Sequence, residues 1–90
     1  MIFAFDSAKS ALNKVKHGID FIEAQVLWNS LYVELQATTV GEESRWLVLG
    51  KIAGVHYSAI VTYRFDVTRI ISVRRSRHEE RAFYEKKTGH

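Results

Sequence analysis

The spacing of the apolar residues changes once along the chain, and this change limits the folds available to it. Ala8, Leu12 and Val15 recur at helical spacing, whereas from Leu31 onward apolar and polar side chains alternate, as they do in a half-buried β-strand. Helices followed by consecutive strands predict an α+β domain with a mainly antiparallel sheet. The chain has 90 residues, a length that suits one domain spanning residues 1–90.

Turn and capping residues place the boundaries of the elements. Gly18 offers a left-handed stop to the first helix. Asp20-Phe21-Ile22-Glu23 resembles a capping box that opens a second helix, in which Ile22, Val26 and the flanking Phe21 and Leu27 are expected to face the sheet. Ser76-Arg77-His78-Glu79 is a capping box for the last helix. The predicted elements are an edge strand Ile2–Phe5, helices Ser7–His17 and Asp20–Trp28, strands Leu31–Thr38, Arg45–Ala53, Val55–Phe65 and Arg69–Arg75, and a helix ending at Lys86 or Lys87.

Composition excludes several kinds of functional site. The sequence contains no cysteine, which excludes a disulfide scaffold, a thiolate metal site and a cysteine nucleophile. It also lacks a glycine-rich phosphate loop, an H-E-x-x-H helix and a nucleophile elbow. We predict no metal site and no cofactor, because the four histidines are scattered: His17, His56, His78 and His90.

The chain carries no recognisable signal for a membrane. Its first residues reach an acid at Asp6, whereas a signal peptide needs a basic start and a longer apolar run. No apolar stretch approaches the ~20 residues of a membrane span. We therefore expect a cytoplasmic protein without a membrane partner.

The positive charge is concentrated in the last third of the chain. The formal net charge is +3, divided into −1 for residues 1–63 and +4 for residues 64–87. Six of the seven arginines follow position 63. Arginine binds phosphate through a planar fork and stays protonated at neutral pH. In the final helix the cations suit a solvated face paired with glutamates, whereas arginines on strands favour anion binding.

Strand alternation groups these arginines by face. Arg64 shares a face with His56, Ser58, Ile60 and Thr62. On the next strand, strict alternation predicts one face with Ile70, Ser72 and Arg74, and another with Arg69, Ile71, Val73 and Arg75. A hairpin that brings Arg64 near Arg69 or Arg74 would gather guanidinium groups at one end of the sheet. Such a cluster needs an anion or carboxylates nearby.

Other side chains could supply proton transfer and stacking. Lys16 and His17 suit the negative end of a helix dipole, or alternatively could contact phosphate, with His17 carrying a proton. Glu43 lies in a polar loop and could act as a general base or orient an arginine. Tyr63 and Tyr84, if exposed beside arginines, could stack on nucleobases.

RNA cleavage needs neither a metal nor a thiol. The ribose 2′-OH is an internal nucleophile, so a protein need only position it, supply a base and an acid, and neutralise charge on the phosphate. DNA lacks that hydroxyl, so this chemistry would distinguish RNA from DNA.

Several blocks of the sequence resemble the BrnT family of toxins. One block joins Phe3-x-Phe5-Asp6-x-x-Lys9 to Asn13-x-x-Lys16-His17-Gly18-Ile19-x-Phe21-x-x-Ala24. The others are Glu43-x-Arg45-Trp46-x-x-x-Gly50, Val61-Thr62-Tyr63-Arg64 and Arg69-Ile70-Ile71-Ser72-x-Arg74-Arg75-Ser76, with Glu80-Arg81 and Tyr84 after them. The blocks run from about Phe3 to Tyr84 in the family's order. One departure is Asn29-Ser30, where members often have an acid followed by a proline.

The resemblance implies a RelE-like fold and the ribonuclease toxin of a type II toxin–antitoxin pair, which cleaves RNA and arrests translation. It implies a ribbon-helix-helix antitoxin that binds DNA, so the toxin itself would contact DNA only indirectly, through the antitoxin. The expected catalytic residues are Lys16, His17, Glu43, Arg64 and Arg74. Arg64 and Arg74 would hold the scissile phosphate, Glu43 or His17 would act as base or acid, and Lys16 would stabilise developing charge. The expected RNA-binding residues are Arg45, Arg69, Arg75, Tyr63 and Tyr84.

Two alternatives remain open. One is a binding module that holds RNA or an antitoxin through the same arginines without cleaving anything. The other is an inactive toxin that acts only in regulating its own operon.

Overall fold

The computed structural model describes residues 1–89, which form one mixed sheet of five strands with three helices around it. The strand order is β1-β5-β4-β3-β2. β1 runs parallel to β5, and the other three pairings are antiparallel. The elements are β1 (Ile2–Ala4), α1 (Ser7–His17), a 3-10 helix (Glu23–Asn29), β2 (Val33–Gln36), β3 (Trp46–Ile52), β4 (Val55–Arg64), β5 (Val67–Arg75) and α2 (His78–Thr88).

The first helix has the predicted bounds because both of its ends are capped by local residues. The Asp6 carboxylate accepts a hydrogen bond from the Lys9 backbone N–H at 3.0 Å, and Gly18 adopts φ 75° as its N–H bonds the Lys14 carbonyl. The predicted apolar face of this helix does not reach the core. Leu12 and Val15 are 52% and 83% exposed, and Ala8 is exposed as well.

The second predicted helix, Asp20–Trp28, is instead a 3-10 helix that begins at Glu23, so the expectation of two N-terminal α-helices is not confirmed, although the predicted capping residues do interact. Asp20 and Glu23 form a reciprocal capping box: the Glu23 N–H donates to Asp20 Oδ1 at 2.7 Å, and the Asp20 N–H donates to Glu23 Oε1 at 2.9 Å. Of the four side chains expected to face the sheet, Phe21 and Leu27 are buried as predicted, whereas the expectation is wrong for Ile22 and Val26, which are 65% and 45% exposed.

The core lies between one face of the sheet and the segment that follows α1. Phe21 and Leu27 are almost fully buried there, and Phe21 packs edge-on against Phe5 at 5.9 Å between ring centroids. The main core cluster consists of Ile19, Phe21, Ala24, Leu27, Val48, Ala59, Val61, Ile70 and Val73. This packing leaves the opposite face of the sheet to α2 at one end and to solvent at the other.

Asn13 attaches α1 to the edge of β5 where β1 no longer covers it. β1 pairs only with residues 67–69 of β5. Beyond them, Asn13 Nδ2 donates to the Val73 carbonyl at 2.8 Å and to the Ile19 carbonyl at 2.7 Å, while its Oδ1 accepts from the Val73 N–H at 3.2 Å. The side-chain amide thus satisfies backbone groups that a neighbouring strand would otherwise pair.

We expect Asn13→Ala to lower the free energy of unfolding by about 2 kcal/mol, because it leaves buried backbone groups of Val73 and Ile19 without partners. Urea denaturation measures the change. Val15→Ala on the same helix is the matched control and should change stability by less than about 0.5 kcal/mol, since Val15 is exposed. Equal stability of the two variants would contradict the role given to Asn13.

Candidate RNA-binding cleft

A bulge in β5 rearranges the faces on which the arginines lie. Val61 pairs with Ile70 but Ile60 pairs with Ser72, so Ile71 has no direct partner. Strict alternation therefore gave a wrong grouping: Ile70 shares a face with Val73 and Arg75, not with Ser72 and Arg74. Because directly paired residues point to the same side of a sheet, the pairings place Arg64, Arg69, Ser72 and Arg74 on the face away from the core.

α2 covers one end of this outer face and leaves the other open. Tyr84 lies over the end nearest His56, with the two rings edge-on at 5.5 Å, and its hydroxyl donates to the Leu31 carbonyl at 3.0 Å. Tyr84 is only 3% exposed, so the expectation that it offers an exposed stacking platform is wrong. Arg64 and Arg69, at the opposite end, are both exposed.

Two adjoining cavities at the open end form what we call the Arg64 cleft. Their volumes are about 500 Å³ and about 280 Å³, and both include Glu43, Thr62 and Arg64. The larger is completed by Val40, Glu42, Ser44, Trp46 and Tyr63, and the smaller by Ala4, Phe65, Val67 and Arg69. The cleft therefore brings together four predicted site residues from separate parts of the sequence: Glu43, Tyr63, Arg64 and Arg69.

A tight turn holds Glu43 at the rim of this cleft. Val40 and Glu43 exchange two backbone hydrogen bonds of 3.1 Å, and Gly41 between them has φ 63°, a conformation that glycine adopts without strain. A bond of 2.8 Å from the Ala37 N–H to the Arg45 carbonyl closes the base of the loop. Glu43 thus lines the cleft from the loop before β3.

The arginines of the cleft are free to bind an anion. Within residues 1–89 the ion pairs closer than 4 Å are Lys14–Glu23 and Arg74–Glu80, so neither Arg64 nor Arg69 is neutralised by a carboxylate. An unpaired guanidinium beside an open cavity is a ready bidentate site for phosphate.

Arg74 lies outside the cleft and is held by α2. It sits five residues along β5 from Arg69, about 15 Å away in extended chain. Its Nη1 and Nη2 donate to the two carboxylate oxygens of Glu80 at 2.7 and 2.8 Å. The same carboxylate accepts from Ser58 Oγ at 2.9 Å and from the Arg77 N–H at 2.8 Å.

These donors stabilise the charged form of Glu80. The hydrogen bonds from the Arg74 guanidinium, the Arg77 N–H and the Ser58 hydroxyl lower the pKa of Glu80 to about 2, although burial by itself would raise it.

The hydrogen bond from the Arg77 N–H also shows that the capping box of α2 starts one residue later than predicted. Glu80, not Glu79, reaches back to the start of the helix, while Ser76 Oγ lies 2.8 Å from Ser58 Oγ.

Lys16 and His17 lie at the end of α1, beside a different part of β5. They line a cavity of about 250 Å³ at the end of α1 together with Ile71 and Ser72 of β5. That cavity includes neither Glu43 nor Arg64. Ser72 is three residues beyond Arg69, about 10 Å along the strand, so the structure places the Lys-His pair beside the cleft and not in it.

Of the remaining predicted RNA-binding residues, Tyr63 lines the cleft, whereas Arg75 and Arg45 line neither of its cavities. Arg75 is exposed at the far end of β5 and lines a separate cavity with Ser76 and Arg81. Arg45 is half-buried, and its buried Nε has no hydrogen-bond partner within the described chain. Tyr63 is half-buried against Trp46, with its hydroxyl donating to Glu34 Oε1 at 2.5 Å.

Burial and the nearby carboxylate of Glu34 together determine the protonation state of Tyr63. Desolvation raises its pKa, and the hydrogen bond to Glu34 raises it further. The phenol therefore stays protonated at neutral pH and forms part of the wall of the cleft.

Two other residues that line the cleft, Thr62 and Phe65, were not among the predicted site residues. The only sequence signal for Phe65 was an aromatic residue at the end of a predicted strand.

Nowhere in residues 1–89 do three or more histidine, aspartate or glutamate side chains come together as they would around a metal ion. Over the same range, no helix is long and apolar enough to span a membrane.

A small α+β domain with unpaired arginines and a carboxylate around an open cleft has the features of a protein that binds a phosphodiester chain. Comparison with family models makes this specific: residues 5–80 match the model of the BrnT ribonuclease toxin of type II toxin–antitoxin systems. The chain belongs to the BrnT family. No match to an individual curated protein was found.

Family membership confirms the resemblance identified from the sequence blocks and supplies the general activity. BrnT proteins are ribonuclease toxins, and a type II system implies an RNA substrate and an antitoxin partner.

Proposed function

We propose that the chain is a metal-independent endoribonuclease that uses the ribose 2′-OH of its substrate as the nucleophile and arrests translation by cleaving RNA. The observation that supports this most is the meeting of Glu43, Arg64 and Arg69 in one cleft. A base and two charge-stabilising groups in one place are what the reaction requires of the protein.

In the proposed reaction, Glu43 removes the proton from the 2′-OH, whose oxygen then attacks the adjacent phosphorus. The bond to the 5′ oxygen breaks, which leaves a 2′,3′-cyclic phosphate on one fragment and a 5′-hydroxyl on the other. Arg64 and Arg69 hold the phosphate oxygens as negative charge develops on them. Arg69 takes the place predicted for Arg74, because Glu80 already occupies both outer nitrogens of Arg74.

Lys16 and His17 have a supporting place in this proposal. They lie along β5 from the cleft, beside Ser72, and we assign them to contact with the RNA as it leaves the cleavage point. Because His17 lines a separate cavity, the departing 5′ oxygen is proposed to take its proton from water in the open cleft.

The antitoxin is proposed to be a ribbon-helix-helix protein that silences the toxin and links it to operator DNA. The place of action is proposed to be the cytoplasm, where RNA and antitoxin are made. The RelE-like relationship of the fold stays a prediction.

The reaction is tested with three strands of one sequence, made as RNA, as DNA and as 2′-O-methyl RNA, each incubated with the protein in EDTA. We expect only the RNA to be cut, because the other two lack a free 2′-hydroxyl, and its fragments should end in cyclic phosphate. Intact RNA, both with and without ribosomes, would contradict catalysis. Salt-sensitive binding without cleavage would favour the binding module instead.

A further inference from the structure

Phe65 combines an unusual backbone conformation with complete exposure of its side chain. It occupies the first position of the two-residue connection between β4 and β5, where its φ is 57°. The residue is 98% exposed. A bulky residue with positive φ is rare, because its Cβ then crowds its own backbone.

Neither turn chemistry nor core packing explains the presence of a phenyl ring here. Two-residue hairpin turns that need positive φ use Gly, Asn or Asp. The other hairpin of this sheet, between β3 and β4, has small residues at its positive φ positions, Ala53 and Gly54. The Phe65 ring packs against almost nothing, so it adds no core stability. A strained residue kept without a structural benefit points to a role in binding.

The surroundings of the ring indicate what it would bind. Phe65 lines the smaller cavity of the Arg64 cleft together with Arg64 and Arg69, which carry no carboxylate partner within residues 1–89. An exposed aromatic face beside unpaired cations matches the two halves of a nucleotide, because a base stacks on the ring while its phosphate binds guanidinium groups.

We propose that Phe65 is a nucleobase-stacking residue that holds the base next to the phosphate bound by Arg64 and Arg69. This inference rests on the proposed function insofar as it takes single-stranded RNA to be what enters the cleft. Stacking accepts any base, so Phe65 fixes the position of the strand and does not select its sequence.

Two uncleavable probes of equal charge separate stacking from phosphate binding: a 2′-O-methyl oligoadenylate and an abasic strand of the same length. We expect the wild-type protein to bind the oligoadenylate about 10-fold more tightly than the abasic strand. Phe65→Gly should abolish this preference, and Phe65→Trp should retain it. Arg64→Gln should weaken the binding of both probes by the same factor, because each contains the phosphate that Arg64 contacts.

The glycine variant also removes the objection that a loss of binding reflects unfolding. Glycine adopts positive φ without strain, so the melting temperature of Phe65→Gly should be unchanged or about 4 °C higher. A glycine variant that keeps the preference for bases would overturn the inference, and so would a wild-type protein that binds both probes equally. A base preference that depends on Phe65 in a protein that never cleaves RNA would support the inference and contradict only the proposed function.

Discussion

Replacing Arg64 with alanine is expected to lower the rate of RNA cleavage by at least ~100-fold while leaving the melting temperature unchanged. Arg64 is exposed at the end of β4 and forms no ion pair within residues 1–89, so its removal leaves no buried charge behind. The rate falls because one of two guanidinium groups that face the developing charge on the phosphate is lost. Single-turnover cleavage of a labelled RNA measures the effect.

Matched variants separate the position of Arg64 from its charge. Arg64→Lys keeps the charge but loses the bidentate fork, so we expect its cleavage rate to lie between those of the wild type and Arg64→Ala. Arg81→Ala removes an exposed arginine from the other end of the sheet and should change the rate by no more than about twofold. Wild-type cleavage or undiminished growth arrest by Arg64→Ala would remove Arg64 from the site.

The features that the sequence predicted well depend on neighbouring residues. The bounds of α1 were correct because Asp6 and Gly18 cap the helix locally, and the capping box of Asp20 and Glu23 formed for the same reason. The antiparallel pairing of β3, β4 and β5 also followed from local turns, since short hairpins join these strands. The parallel placement of β1 beside β5 depends on packing between distant segments, and the mixed character of the sheet was not predicted.

The features that the sequence did not predict arise from pairing and packing across the fold. Strict alternation placed Arg69 and Arg74 on opposite faces, whereas the bulge at Ile71 places them together. A bulge depends on the register of two strands, so no local signal announces it. The apolar spacing of α1 also predicted the wrong buried face. Asn13 bonds the sheet and Ser10 bonds the segment that follows the helix, while Val15 faces solvent.

In the candidate site, too, the sequence predicted some features and missed those that depend on packing. Charge and spacing identified Arg64, Arg69 and Glu43 as candidates, and the fold brings them into one cleft. Sequence could not distinguish them from Arg74, because only the docking of α2 engages that guanidinium with Glu80.

Removing the Glu80 carboxylate is expected to be the most destabilising change to a charged residue described here. Glu80→Ala should lower the free energy of unfolding by about 3 kcal/mol, because it leaves Arg74 without its partner in a half-buried site and deprives Ser58 and the Arg77 N–H of an acceptor. For a domain of this size the melting temperature should fall by roughly 15 °C. Arg74→Ala should have a similar effect, and calorimetry measures both.

A double variant tests whether the two residues act as one unit. Losing both partners leaves no unpaired charge, so Arg74→Ala combined with Glu80→Ala should destabilise by less than the sum of the single changes. Glu79→Ala is the matched control, since Glu79 is exposed on the same turn of α2 and should change stability by less than about 0.5 kcal/mol. Strictly additive effects would show that the Arg74–Glu80 contact contributes little.

The contribution of Glu80 should also depend on pH in one direction. Its folded pKa is lowered from 4.5 to about 2, so the folded state holds the charged form more strongly than the unfolded state does. The resulting stability is present in full above pH 4.5 and is lost as the pH falls towards 2. Denaturation of wild type and Glu80→Gln across this range should therefore show their difference in stability shrinking with acidity. A difference that stays constant from pH 7 to pH 2 would mean that the charge of Glu80 does not hold α2 against the sheet.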